Sequence, residues 1–370
     1  MSEELRHTDE GAFLDAPSAI DPEGPAGYTL YADALFRKKK KRGWRVVESP
    51  DPLLECPVAD THAHLHMLTN VPLSLARCAA QNINFICAIT DPSEDGSVVF
   101  SSLDAWRSEA LRILPDVFSA TRSSLDAVRE EGEFASDQAL SFRCPCDVSI
   151  PRIRIASGVH PHNASAWDDQ MEQRLRAQLA DPRVCALGEV GLDYHYDLSP
   201  RDVQKAVFRR QIQLAHETGL PLVLHMRDAH EDGFAILEEE GWPEAGVLLH
   251  CCSVGPEELR RWLDRGCFVA FGGAVTFSRS DDLRASAALT PADHLLTETD
   301  SPYMAPVPFR GIECSPEFTA YVTEYLSTVR NANPGGERAQ LLRTMYDAAL
   351  GLLDREPTAW QRANAEGGLQ

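Results

Sequence analysis

Short apolar runs and longer amphipathic stretches alternate along most of this chain. The runs are rich in Val, Ile and Leu, which is typical of strands buried on both faces of a parallel sheet. The stretches between them have helical spacing; in 200–218, for example, apolar side chains recur at Val207, Phe208, Ile212 and Ala215. The pattern predicts eight strands, at 57–65, 84–90, 153–161, 184–193, 220–225, 246–250, 267–273 and 294–300.

Helices are predicted between these strands and after the last one. They lie at 72–82, 168–180, 200–218, 229–240, 256–265, 281–288, 316–330 and 337–353. An α/β chain of eight strand–helix repeats is typical of a (β/α)8 TIM barrel, in which a helical shell covers a closed parallel sheet. Functional residues of such barrels collect at the carboxyl ends of the strands.

The barrel is predicted to occupy residues 55–354. Residues 1–54 form an N-terminal extension with a basic run at 37–42. Such a run suits either contacts with nucleic acid or a solvated, flexible arm. Residues 355–370 are predicted to form a polar, loose tail.

A segment at 91–150 is inserted between the second and third strands. Two helices are predicted within it, near 103–114 and 122–140, followed by Cys144-Pro145-Cys146. A Cys-x-Cys pair can hold a metal, but no second cysteine pair has matching spacing, so a metal role is not expected here.

Composition limits the location and the partners of the chain. With 44% hydrophobic and 25% charged residues, its 370 residues suit a soluble globular protein. No apolar run reaches the ~18 residues of a membrane helix, and the N-terminus lacks the form of a signal peptide. We therefore expect a cytoplasmic protein with reduced cysteines and no membrane partner. The formal net charge of −21 argues against broad neutralisation of nucleic-acid phosphates.

Candidate chemistry begins with Asp60-Thr61-His62-Ala63-His64 at the end of the first predicted strand. Side chains two residues apart point to the same face of a strand, so His62 and His64 project together and can bind one divalent ion. Other predicted strands also end on histidine or a carboxylate, at His160, Glu189, His225, His250 and Asp300. A barrel brings such residues together in one mouth.

The number of these side chains suits two divalent ions. We expect His62, His64 and Asp300 to bind the first, and His225 and His250 to bind the second, with Glu189 bridging them. Two ions ~3.5–4 Å apart activate a water and stabilise both oxygens of an in-line displacement. Imidazole and carboxylate ligands leave Zn, Mn, Mg, Ni and Fe as candidates.

Six motifs in order along the chain resemble those of the TatD family of metal-dependent deoxyribonucleases, in the metallo-dependent hydrolase superfamily. They are Asp-Thr-His-x-His, Gly-Val-His-Pro, Gly-Glu-Val-Gly-Leu-Asp-Tyr, Leu-His-x-Arg-Asp-Ala, His-Cys-x-Ser and Glu-Thr-Asp-Ser-Pro-Tyr, between about 58 and 350. The resemblance implies two divalent ions and cleavage of DNA phosphodiesters, commonly from an end.

The resemblance also implies roles for individual residues. The metal ligands fall on His62, His64, Glu189, His225, His250 and Asp300. Glu189 and Asp300 count as catalytic together with His160, which matches a position near the substrate. Asp193 and Glu298 are expected to orient ligands from behind.

The substrate class stays open at this point. The first hypothesis is a deoxyribonuclease that acts on single-stranded or terminal DNA, with Arg227 and Arg310 contacting phosphates. The second is an amidohydrolase-type enzyme that hydrolyses a small amide, ester or lactone on the same barrel. Many enzymes of that type bridge their ions with a modified lysine on the fourth strand, where this chain has Glu189. The third hypothesis is a non-catalytic binding protein that retains the barrel. Independently of function, we expect a monomer.

Overall fold

The structure is a computed structural model that describes residues 37–40, 43–46, 54, 56–94, 96–130, 148–307, 309–333 and 335–365. Two short strands, β1 (Arg37–Lys40) and β2 (Gly43–Val46), pair antiparallel. Most of the basic run predicted as an arm or a nucleic-acid contact therefore lies on a strand. No helix in the described part of the chain has both the length and the apolar composition needed to cross a membrane.

Eight further strands form one sheet in which all neighbours pair in parallel, in the order β10-β9-β8-β7-β6-β5-β4-β3. This confirms the predicted (β/α)8 barrel. The strands are β3 (Val58–Ala63), β4 (Ile83–Thr90), β5 (Arg152–Ser157), β6 (Val184–Asp193), β7 (Leu222–Arg227), β8 (Val247–Leu249), β9 (Phe268–Phe271) and β10 (Leu295–Thr297). Their carboxyl ends define what we call the mouth of the barrel.

The helices follow the predicted pattern around this sheet. They are α1 (Val71–Ala80), α2 (Gly96–Glu130), α3 (Asp169–Leu179), α4 (Arg201–Thr218), α5 (His230–Glu240), α6 (Pro256–Leu263), α7 (Asp281–Leu289), α8 (Thr319–Val329), α9 (Gly336–Leu353) and α10 (Ala359–Asn364). Short 3₁₀ helices lie at Leu65–Met67, Pro161–Ala166, Gly273–Thr276 and Pro316–Phe318.

Two layers of apolar side chains hold the barrel together. The larger layer lies between the sheet and its helices. The smaller one fills the barrel interior with residues such as Phe85, Cys87 and Val223, and it is joined by Leu352 and Leu353 of α9. Because the interior is packed, the ionisable side chains at the strand ends meet only at the mouth.

Hydrogen bonds between β3 and the end of β10 bring the first and last strands together. Thr61 Oγ1 donates to the carbonyl of Thr297 at 2.9 Å, and the Asp300 N–H donates to the carbonyl of His62 at 2.9 Å. Asp300 has a φ of 57°, in the left-handed region that aspartate tolerates better than most residues. These contacts place Asp300 beside His62, although 238 positions of sequence separate them.

The inserted segment differs from its prediction. One helix, α2, covers the region where two helices with a break were expected, and Pro115 lies inside it. Its apolar face, which includes Leu103, Ala110, Ile113 and Val117, is buried, so burial of this face outweighs the local cost of the proline. The described residues do not include Cys144, Cys146 or the part of the second predicted helix that follows Glu130.

The expectation of a loose tail is wrong for residues 359–364. They form α10, which begins with a capping box between Thr358 and Gln361. Gln361 is buried, and its Nε2 donates to the carbonyls of Leu179 and Val184. This side chain satisfies carbonyls at the end of α3 and the start of β6, so the helix is fixed to the barrel although its sequence is polar.

Candidate metal centre

Glu189, on β6, lies at the centre of the mouth between two groups of side chains. Its Oε2 atom is 3.3 Å from His62 Nε2 and 3.8 Å from His64 Nε2. Asp300 Oδ1 approaches the same two nitrogens, at 3.8 Å and 3.5 Å respectively. We call His62, His64 and Asp300 the Oε2 group.

The other carboxylate oxygen of Glu189 faces a second set of imidazoles. Oε1 is 2.6 Å from His225 Nδ1, 2.7 Å from His250 Nε2 and 3.7 Å from His160 Nε2. We call His160, His225 and His250 the Oε1 group. A single carboxylate therefore presents one oxygen to each group, which is the arrangement that a ligand bridging two ions requires.

The mouth brings together all the side chains that the sequence assigned to catalysis or metal binding. They are His62, His64, His160, Glu189, His225, His250 and Asp300. One placement differs from expectation: His160 was placed near the substrate alone, yet its ring nitrogen and the ligand atoms of Glu189 and His225 all lie within 4.8 Å of one another. The ligand roles themselves stay predictions.

Carboxylates stand behind two of these imidazoles. Asp193 Oδ2 lies 3.1 Å from His225 Nε2, and Glu298 Oε2 lies 3.4 Å from His250 Nδ1. Glu298 is held in place by its other oxygen, which accepts the Cys251 N–H at 2.7 Å. Carboxylates in these positions fix the tautomer and the orientation of metal-binding histidines.

The packing of His62 indicates that an ion belongs at this centre. Its ring is fully buried and stacks on the ring of His250, with 3.7 Å between their centres. Within the described part of the chain, neither ring nitrogen of His62 has a hydrogen-bond partner. A buried imidazole without partners is costly, and a divalent ion on Nε2 would remove part of that cost. The donor set of imidazoles and carboxylates suits such an ion.

The pKa values at the mouth reflect competition between burial and charge. Burial would raise the pKa of Glu189, but the surrounding imidazoles hold it well below the ordinary value. Burial would lower the pKa values of His225 and His250, yet the Glu189 carboxylate helps to raise both. Burial lowers the pKa of His62. The Glu189 carboxylate thus favours protonation of His225 and His250, and a metal ion must displace such protons when it binds.

His160 differs electrostatically from its neighbours. Burial lowers its pKa well below the ordinary value, so the ring is neutral near pH 7. The His162 N–H donates to His160 Nδ1 at 3.2 Å. Because Nδ1 accepts this bond, we assign the proton of the neutral ring to Nε2, the nitrogen that faces Glu189.

Two residues of the site were missed by the sequence analysis. His162 Nε2 lies 2.9 Å from Asp193 Oδ2, and Asp91 Oδ2 accepts the His160 N–H at 2.9 Å. Both carried a usable signal. His162 follows His160 by the spacing that links His62 to His64, and Asp91 ends the apolar run of β4.

The two arginines expected to contact phosphates lie on segments at the mouth. The guanidinium of Arg227 is 4.7 Å from the centre of the Tyr196 ring, and that of Arg310 is 3.7 Å from the centre of the Phe277 ring. Neither forms an ion pair with another described residue, so both charges remain available to an anion.

A family model described as TatD related DNase matches residues 59–345. The chain belongs to this family. The metal-dependent hydrolase YabD of Bacillus subtilis is 40% identical over 178 residues, which is 48% of this chain and 70% of that protein. The 3'-5' ssDNA/RNA exonuclease TatD of Cronobacter turicensis is 42% identical over 151 residues, which is 40% of this chain and 57% of that protein.

Solved structures agree on the fold. YjjV, a TatD homologue from Escherichia coli, superposes with a TM-score of 0.62 at 21% identity, over 81% of this chain and 99% of its own. A TatD family hydrolase from Entamoeba histolytica gives a TM-score of 0.60 at 14% identity, over 80% and 98%. The resemblance drawn from the motifs is thus confirmed, and this TatD family member is a metal-dependent hydrolase that acts on ester bonds.

Proposed function

We propose that this protein is a deoxyribonuclease that removes nucleotides from single-stranded or terminal DNA with two divalent ions. The observation that carries the proposal is the division of Glu189: Oε2 faces His62 and His64, whereas Oε1 faces His225 and His250. Phosphodiester cleavage is a reaction for which paired ions are well suited, because two oxygens must be stabilised at once.

The residues divide into two ion sites. His62, His64 and Asp300 would hold one ion, and His225 and His250 would hold the other, with Glu189 shared. When bound, the ions supply positive charge that makes a water more acidic and neutralises the developing charge on the phosphate.

The remaining steps belong to the protein's own side chains. His160 is neutral and presents Nε2–H toward the centre, so it can donate a hydrogen bond to a phosphate oxygen or to the leaving group. Asp193 holds both His162 and His225 through Oδ2, which keeps their rings oriented. Arg227 and Arg310 would attract phosphates that lie outside the metal centre.

Two findings support nucleic acid as the substrate class. A relative at 42% identity is named a 3'-5' ssDNA/RNA exonuclease. In addition, β6 has the sequence Val-Cys-Ala-Leu-Gly-Glu-Val-Gly-Leu-Asp and offers Glu189 instead of a lysine as the bridging group. With a formal net charge of −21, the protein would hold a polyanion only at the metal centre and a few arginines.

Turnover assays test the proposal directly. Metal-reconstituted protein is incubated with end-labelled single-stranded DNA, duplex DNA and single-stranded RNA, and in parallel with a panel of lactones, esters and amides. We expect cleavage of single-stranded DNA from one end, with a Glu189→Gln sample as the control for contaminating nuclease. Turnover of a lactone or an amide, with every nucleic acid left intact, would overturn the proposal.

A further inference from the structure

Exposed apolar side chains are concentrated on one surface of this protein. Among the described residues, six large apolar side chains are exposed: Met67, Leu111, Tyr196, Leu198, Tyr303 and Val307. All except Leu111 lie on segments that follow β3, β6 or β10 at the mouth. Large apolar side chains that are exposed beside a polar centre offer apolar surface to a ligand that binds there.

Tyr303 stands on the Oε2 side of Glu189. Its N–H donates to the Asp300 carbonyl at 2.9 Å, and its ring lies edge-on to His64 with 6.3 Å between centres. Half of the residue is exposed, at 50%. Its hydroxyl contacts Met67 Sδ at 3.9 Å.

Tyr196 stands on the Oε1 side. Its N–H donates to Asp193 Oδ1 at 2.8 Å, and Oδ2 of the same carboxylate contacts His225. Its ring lies perpendicular to His162 at 5.4 Å, and the Arg227 guanidinium lies 4.7 Å from its centre. The residue remains 52% exposed.

These contacts define a pair of rings, one attached to each half of the candidate metal centre. Neither ring is needed to fill the core, since about half of each residue faces solvent. Aromatic rings held rigidly beside a phosphate site are the usual means by which proteins bind single strands, since each nucleobase offers a flat face for stacking.

We propose that Tyr303 and Tyr196 are stacking platforms for the two nucleobases that flank the phosphodiester bond at the metal centre. Tyr303 would hold the base on the Asp300 side, and Tyr196, backed by Arg227, the base on the Asp193 side. This proposal rests on the nuclease function proposed above and specifies its substrate as an unpaired strand. In a duplex the base faces are already stacked, so both platforms would be unused. Stacking also predicts little preference among the four bases.

The test combines protein variants with abasic substrates. Tyr303→Leu and Tyr196→Leu remove the rings, whereas Tyr303→Phe and Tyr196→Phe keep them and serve as matched controls. Single-stranded oligonucleotides carry a tetrahydrofuran abasic residue on one side of the cleaved bond, on the other side, or throughout. Metal content of every variant is measured to show that the centre is intact.

We expect each leucine variant to lose roughly 10- to 100-fold in kcat/KM on the intact oligonucleotide, mainly through KM. When the base that one tyrosine contacts is replaced by an abasic residue, kcat/KM of the wild type should fall by a similar factor. On that substrate, kcat/KM of the matching leucine variant should be little lower than that of the wild type. All variants should cleave the fully abasic strand at the wild-type rate, and the phenylalanine variants should behave as wild type throughout.

Three results would contradict the proposal in distinguishable ways. If the wild type cleaves the oligonucleotides but the leucine variants stay within 2-fold of it, the rings do not bind bases. If the leucine substitution lowers kcat/KM by the same factor on the abasic and the intact oligonucleotide, that tyrosine does not stack on that base. If the wild type cleaves no nucleic acid, the proposed nuclease function fails, and the stacking proposal fails with it.

Discussion

Asp193 and His225 are joined through Oδ2 and Nε2 at 3.1 Å, which leaves Nδ1 as the imidazole nitrogen that faces Glu189. The carboxylate is fixed by two donors of its own segment, the N–H groups of His195 and Tyr196, which bond to Oδ1. Gln204 of α4 holds the backbone of Asp193, because its Nε2 donates to the Asp193 main-chain carbonyl. Asp193 therefore determines which nitrogen His225 offers to an ion.

Replacing Asp193 with Asn should weaken one ion site more than the other. An amide holds the His225 tautomer less firmly than a carboxylate, so we expect roughly 10- to 100-fold weaker binding of the ion on the Oε1 side. Calorimetric titration of the metal-free protein with Zn²⁺ or Mn²⁺ measures this. Asp197→Asn, an exposed change in the same loop, is the control. Equal weakening of both ions would show that Asp193 does not act through His225.

Replacing Glu189 with Gln should damage turnover more than replacing His160 with Gln. Glu189 contacts both ligand groups, so its loss affects both ions, whereas His160 lies 3.7 Å from Oε1 and carries no bridge. We expect bound metal to fall for Glu189→Gln and to change little for His160→Gln. Near wild-type turnover of Glu189→Gln at saturating metal would refute the bridging role.

His230 predicts how stability depends on pH. Burial and the nearby Arg261 guanidinium lower its pKa from 6.5 to about 4. Below pH 6.5 the unfolded chain therefore takes up a proton that the folded chain refuses, and stability is lost as pH falls toward 4. The loss amounts to roughly 3 kcal/mol at most. His230→Leu should abolish this part of the pH dependence.

Urea unfolding of metal-free protein between pH 7 and pH 4 measures the effect. Subtracting the His230→Leu curve from the wild-type curve removes contributions from other groups. The matched control is His216→Leu, because His216 is exposed on α4, and its curve should follow the wild type. If the wild type and His230→Leu depend on pH in parallel, His230 is not the group that titrates.

The contribution of the metal centre to DNA affinity can be distinguished from that of the basic run at 37–42. If the metal centre and a few arginines hold the substrate, the slope of log affinity against log salt should correspond to ~2–3 ions. The Arg227→Gln substitution should reduce the magnitude of this slope by about one. Deleting residues 1–50 should change neither metal content nor affinity much. A large loss of affinity with metal content unchanged would assign substrate binding to the N-terminal extension.

The barrel and most of the metal centre could be predicted from sequence because both follow from the spacing of residues along the chain. Apolar runs gave the strands, and parallel pairing placed residues such as Glu189, His225 and His250 at one end. Period two also linked His62 to His64. Each of these inferences needs only local spacing and the rule that strand ends converge.

Other features depend on contacts that spacing does not contain. Glu189 was predicted to lie between the two groups, but the close approach of His62 and Asp300 follows from main-chain contacts that close β3 on the end of β10. The spacing of two residues from His160 marks His162 as a candidate, but His162 lies on a 3₁₀ helix after β5, so strand geometry does not predict where its side chain points. Two helices were predicted near 103–114 and 122–140, although one helix runs through Pro115 and buries the apolar face of α2.

Metal back-titration tests whether phosphodiester cleavage requires two ions shared by Glu189. Metal-free protein is titrated with Mn²⁺ or Zn²⁺ while bound metal per chain and cleavage of end-labelled single-stranded DNA are measured together. We predict that cleavage stays low through the first equivalent and rises as the second binds. Full cleavage at one ion per chain, or a two-ion protein that leaves the DNA intact, would contradict the claim.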